Sequence, residues 1–284
     1  MVLESLMSPF KAEKHPKEMF FVGLIYASIA VFLSLWIFKD YSSLVMVFLT
    51  VGAATPIMYR TMKIEEKKDM TGNNEEFFLL REHWHALSFF IYMFIGFVIA
   101  FTLWYIFLPP STVNLVFSVQ TRTIEAINAQ ITGNAISLAN TFVQIFLNNV
   151  KVLLFSIFFA FFYGAGAIFI LTWNASVISA AVGNFIRTNL ALSAKSVGLI
   201  KVWDYFHIFT LGLLRYFIHG IPEILAYFMG GLAGGIISVA VIKHHLSTEK
   251  SKKVLLDSID LVVLAIFVLF IAALIEVFIT PLLF

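Results

Sequence analysis

The chain has 284 residues, 60% of them hydrophobic and only 13% charged, with a mean hydropathy of +0.92. Soluble domains are about 45–50% apolar and about 25% charged, so this composition cannot coat a water-soluble globule and describes an integral membrane protein. The absence of cysteine excludes disulfides, thiolate metal sites and cysteine nucleophiles, and a net charge of +2 gives no reason to expect a nucleic-acid partner.

A spanning helix needs about 20 mostly apolar residues. The first such run is Met19 to Phe38, and after a turn at Lys39 and Asp40 the run Tyr41 to Tyr59 returns across the bilayer. The polar loop 60–85 leads to a third span, Phe89 to Leu108, closed by Pro109 and Pro110, which cannot continue a helix. Residues 111–144 set Ile124, Ile127 and Ile131 among Asn, Gln, Thr and Ser, which predicts an amphipathic helical segment outside the hydrocarbon. Ile145 to Leu171 is a fourth span, and Ala175 to Ile186 reads as a re-entrant or interfacial helix, being only about 18 Å long. Tyr205 to His219 and Pro222 to Ile242 read as a fifth and sixth span joined by Gly220 and Ile221, and Leu256 to Thr280 is the seventh.

The expected fold is therefore an all-α, polytopic membrane protein in three parts: a three-span region at 1–110, an outer helical segment at 111–144 and a membrane domain at 145–284. Lys and Arg are enriched in short cytoplasmic loops. Seven crossings place fifteen of the nineteen inside, with the N-terminus in the cytoplasm of a cell membrane and the C-terminus outside. That count takes the 172–204 segment, with Arg187, as an inner one.

Ionisable groups within spans are costly and are functional suspects by default. Asp204, His207, Arg215 and His219 fall within about 120° of arc on an ideal helix, a stripe that suits a polar path. Gly220 and Pro222 predict a capped bend flanked by His219 and Glu223 at the outer ends of two antiparallel spans. By the same topology Glu276, Asn148 and Asn149 also lie near the outer surface. The five groups His219, Glu223, Glu276, Asn148 and Asn149 form a candidate cluster, able to serve as Zn²⁺ or Mn²⁺ ligands, as a shared-proton network, or as polar contacts that hold helices together. Gly230, Gly231, Gly234 and Gly235 allow close helix approach, either to Gly164 and Gly166 within the chain or across a homodimer seam. The set His83 and His85 after Glu75, Glu76 and Arg81 has the wrong spacing for a metal-dependent intramembrane protease, and no nucleotide or hydrolase motif is present.

The order Asn148-Asn149, Gly164-x-Gly166, Asn174, His219-Gly220-x-x-Glu223, the Gly230 to Gly235 cluster and Ile275-Glu276 resembles the stage II sporulation protein M family over about residues 140–284. The resemblance implies a membrane scaffold whose sporulating members partner peptidoglycan hydrolases during engulfment, rather than an enzyme. The expected function is a multi-pass scaffold contacting membrane or envelope partners through 111–144 and 60–85. The alternatives are a transporter or channel using the polar path and an intramembrane hydrolase with a metal on His219, Glu223 and Glu276.

Overall fold

The computed structural model describes residues 16–71, 79–132, 138–163, 167–192, 199–242 and 249–283, and all regular structure among them is helical. In chain order these are α1 (Glu18–Ile37), a 3₁₀ turn (Lys39–Tyr41), α2 (Ser42–Thr71), α3 (Leu79–Phe107), α4 (Pro110–Val116) and α5 (Ser118–Thr132). There follow α6 (Leu138–Tyr163), α7 (Ala167–Leu192), α8 (Leu199–Ile242) and α9 (Glu249–Leu274), which runs through a π-helical segment (Ile275–Ile279) into α10 (Thr280–Leu283). Seven helices are long and apolar enough to cross a membrane: α1, α2, α3, α6, α7, α8 and the α9–α10 rod.

The count of seven agrees with the sequence reading, but the chain reaches it differently. Gly220 and Ile221 do not join two antiparallel spans, because α8 runs unbroken for 44 residues with Pro222 inside it. A reverse turn in hydrocarbon would expose several backbone groups with no water to satisfy them, whereas a proline removes a single N–H from the helical ladder. Nor is Ala175 to Ile186 re-entrant, since it is the middle of α7, a full-length helix. Two of the serines that depress its hydropathy are satisfied within the helix itself. Ser176 Oγ donates to the Trp173 carbonyl at 2.7 Å, and Ser179 Oγ to that of Ala175 at 2.6 Å. α6 correspondingly starts at Leu138, within the stretch read as outer segment.

The core lies where α2, α3, α7 and α8 meet, filled by Phe89, Phe90, Phe97, Phe101 and Phe228, all fully buried. α1 packs along α3, with Trp104 Nε1 donating to Ser28 Oγ at 3.0 Å. Gly23 and Gly96 allow that approach, since a Cβ on either would fall 2.3 Å or less from a backbone oxygen of the facing helix. α6 and the α9 rod lie at the rim, with much of their apolar surface exposed.

Arg187 corrects the charge count used for topology. Its Nη1 donates to the carbonyls of Tyr105 and Leu108, at 3.1 and 3.4 Å, where Pro109 and Pro110 leave the end of α3 without successors to bond. The C-terminal end of α7 therefore lies at the Pro109 end of the bundle, opposite the 60–85 loop, and Arg187 is not on the loop's side.

Candidate functional site

Because α8 does not fold back, His219 and Glu223 stand in the middle of a span. Glu223 lies 16 residues from His207 and 15 from Ser238, the limits of the membrane-length part of α8. α6 runs parallel to α8. A Cβ on Gly230 would meet Leu153 and one on Gly234 would meet Ile157, so the contacts advance together along both helices. Slightly N-terminal to these, Asn149 Nδ2 donates to Glu223 Oε1 at 2.5 Å, and Asn149 is itself near the midpoint of its span.

The α9 rod runs antiparallel to α8 and supplies the remaining groups in two successive rungs. On one rung the carboxyl of Glu276 lies within hydrogen-bonding reach of Glu223. One turn away, Thr280 Oγ1 lies 3.3 Å from His219 Nδ1 and also donates to the Ile275 carbonyl at 3.2 Å. Glu276 belongs to the π-helical segment, whose wider turn shifts the register of every following side chain; such segments are frequent at functional sites. Tyr227, buried one turn beyond Glu223, lies within electrostatic reach of both carboxyl groups.

Of the five clustered residues expected from sequence, Asn149, Glu223 and Glu276 meet, and His219 stands one rung away. On α8 their level is near the middle of the membrane-length stretch, whereas on the α9 rod Glu276 lies 22 residues from Val254 and 7 from Leu283. Asn148 does not join them, because its neighbour occupies the inward face and the next residue of a helix points about 100° away; it is exposed on the rim. His207 is exposed too, stacked on Trp203 with ring centroids 6.5 Å apart. Asp204 and Arg215 are on α8 but outside the residues whose side chains are described, and Gly164 and Gly166 lie outside the described residues altogether. Gly230 and Gly234 face α6, Gly231 faces Ala167 of α7 and Gly235 faces Met62 of α2, so the glycine cluster seats α8 among three helices of its own chain. This face is covered and does not offer a dimer seam.

Two carboxyl groups this close and away from water repel each other when both are charged, a cost that sharing one proton would relieve, and the Asn149 amide donates to a Glu223 oxygen. Metal binding has less support. Among the described residues no three His, Asp or Glu side chains form a metal-binding group, and His219 points to Thr280 instead of completing a site with the two glutamates.

Further polar contacts lie away from this pair. Gln120, fully buried at the root of α5, accepts from Ser43 Oγ at 2.7 Å and donates to Ser176 Oγ at 3.1 Å and the Ser43 carbonyl at 3.3 Å. Glu65 and His83, both fully buried, meet at 2.6 Å where α2 leaves and α3 re-enters the bundle. Of these only His83 stood out in the sequence, in a set with the wrong spacing for a metal-dependent protease; Gln120 and Glu65 did not. Gln120 and Glu65 sit in segments whose polarity reads as solvated, and their partners are far along the chain. Tyr227 and Thr280 carried a usable signal, each being one turn from a glutamate of the pair.

A family model, Stage II sporulation protein M, matches residues 19–281. The chain belongs to this family. The match extends well before residue 140 and takes in the first three spans, which carry none of the residues on which the sequence resemblance rests. No curated protein and no solved structure matches the chain.

Proposed function

We propose that this member of the stage II sporulation protein M family is a membrane-embedded assembly platform, holding partner proteins against its non-spanning surfaces. The Gln120 clamp carries the reading. A loop that merely connected two spans would have no need of a fully buried side chain bonded to two helices at its root, whereas a docking surface must be held in fixed orientation to be recognised. At the other end of the bundle the Glu65–His83 contact fixes the helical extensions of the 60–85 loop in the same way. The platform lies in a cell membrane with its N-terminus in the cytoplasm, and the partners are envelope or membrane proteins. In vivo crosslinking with full-length protein tests it. Replacing residues 118–132 by a Gly-Ser linker should abolish the crosslinked species and Gln120→Leu should weaken them, while retention of every species in both variants would overturn the proposal.

A second reading, proton-coupled transport, is favoured by the Glu223–Glu276 pair at the middle of a span. Proteoliposomes should then show a proton flux that Glu223→Gln removes, and equal flux in the variant would eliminate it.

A further inference from the structure

The rim face of α6 carries a polar stripe that its own chain leaves uncovered. Asn140, Gln144, Asn148 and Lys151 recur at helical spacing and are all exposed. Around them the exposed residues of α6 are apolar, including Leu147, Leu154, Phe155 and Phe158, as expected of a face in lipid. Lys151 lies 13 residues from Leu138 and 10 from Phe161, the limits of the span. That is about 20 and about 15 Å from its ends, too deep for a lysine to snorkel its ammonium to water. Two neighbours give further gauges of depth: Asn149 bonds Glu223 near the middle of the membrane-length stretch of α8, and Glu276, which meets Glu223, lies 7 residues or about 10 Å from Leu283 at the end of the α9 rod. Among the described residues no carboxylate pairs with Lys151.

We infer that this stripe is a docking surface for a transmembrane helix of another protein, one that carries an aspartate or glutamate at mid-depth. Ionisable groups in spans pair with one another or face water, and a carboxylate flanked by groups that bond amides is the complement of a lysine flanked by Asn148 and Gln144. A second copy fits poorly. It would set Lys151 against Lys151, and the mid-depth carboxyls of this chain are already engaged with each other and with Asn149. The inference rests on the platform reading and adds a site within the membrane to those outside it.

The chain has no native cysteine, so a Lys39→Cys variant of the full-length protein takes a single fluorophore in the exposed turn. It is reconstituted in phosphatidylcholine–phosphatidylglycerol vesicles with labelled polyleucine helices carrying a central Asp, an Asp near one end, or none. The central-Asp helix should associate about tenfold more tightly than the other two by energy transfer. Lys151→Leu should abolish the preference and Lys151→Arg keep it. Equal association of all three helices with the wild-type protein, or a preference that survives Lys151→Leu, would overturn the inference, as would Lys151-dependent self-association of the labelled chain. Loss of partners on replacing 118–132, with the three helices binding equally, would remove this site while leaving the platform reading in place.

Discussion

Asn148 and Asn149 are chemically identical neighbours with opposite environments. Asn149 is buried and donates to Glu223, while Asn148 is exposed on the rim of the bundle. Removing the buried amide leaves a carboxyl oxygen without its donor inside the membrane, and measured polar contacts between membrane helices average about 0.6 and reach about 1.7 kcal/mol. Asn149→Ala should therefore destabilise the protein by about 1 kcal/mol in denaturant titrations in detergent, while Asn148→Ala should stay within about 0.5 kcal/mol of wild type. The same measurement on Glu223→Gln should show a smaller loss than Glu223→Ala. A carboxamide can still meet Asn149 and Glu276, whereas alanine leaves both unmet. At this scale the sequence names suspects well, since ionisable residues in spans stand out against hydrocarbon. It does not say which of two adjacent asparagines turns inward.

The close crossing of α1 and α3 depends on two glycines. A Cβ at Gly23 would meet the Met93 carbonyl and one at Gly96 the Phe20 carbonyl, both backbone atoms that cannot swing aside. Gly96→Ala should cost about 2–3 kcal/mol, the upper part of the range for overpacking. A Cβ on Gly52, exposed on α2, meets nothing within 4 Å. Gly52→Ala should stabilise the protein by about 0.5–1 kcal/mol, because alanine loses less backbone freedom in a helix. Thermal unfolding of the two variants side by side checks both signs. Long apolar elements such as α1 and α3 are legible from composition alone. α7 and α8 were not, because the apolar run Ala175 to Ile186 is too short to span by itself and Gly220-Ile221-Pro222 reads as a helix break, yet both lie inside continuous helices.

Seven crossings put the two ends of the chain on opposite sides of the membrane, and the contacts of Arg187 decide which loops share a side. In this cysteine-free chain, single cysteines at Lys39, Arg122 and Asn189 should react with an impermeant maleimide from one side, and cysteines at Lys63 and Lys17 from the other. Labelling of Asn189→Cys from the Lys63 side would restore the re-entrant reading of Ala175 to Ile186 and reverse the placement of α7. The segment 118–132 and the loop 60–85 differ in sequence but are each rooted in the bundle by a buried polar contact.

Composition by itself determined that the chain belongs in a membrane and that its regular structure is helical, because about 20-residue apolar runs have no other stable form in hydrocarbon. Family membership was legible too, through a handful of ordered residues. Only the tertiary structure decided that Glu223 and Glu276 stand together in the middle of α8 and that Lys151 faces outward. Those facts depend on how helices are paired, rotated and set in depth. Hydropathy is a sum along one segment and carries no information about which face of it a neighbour covers.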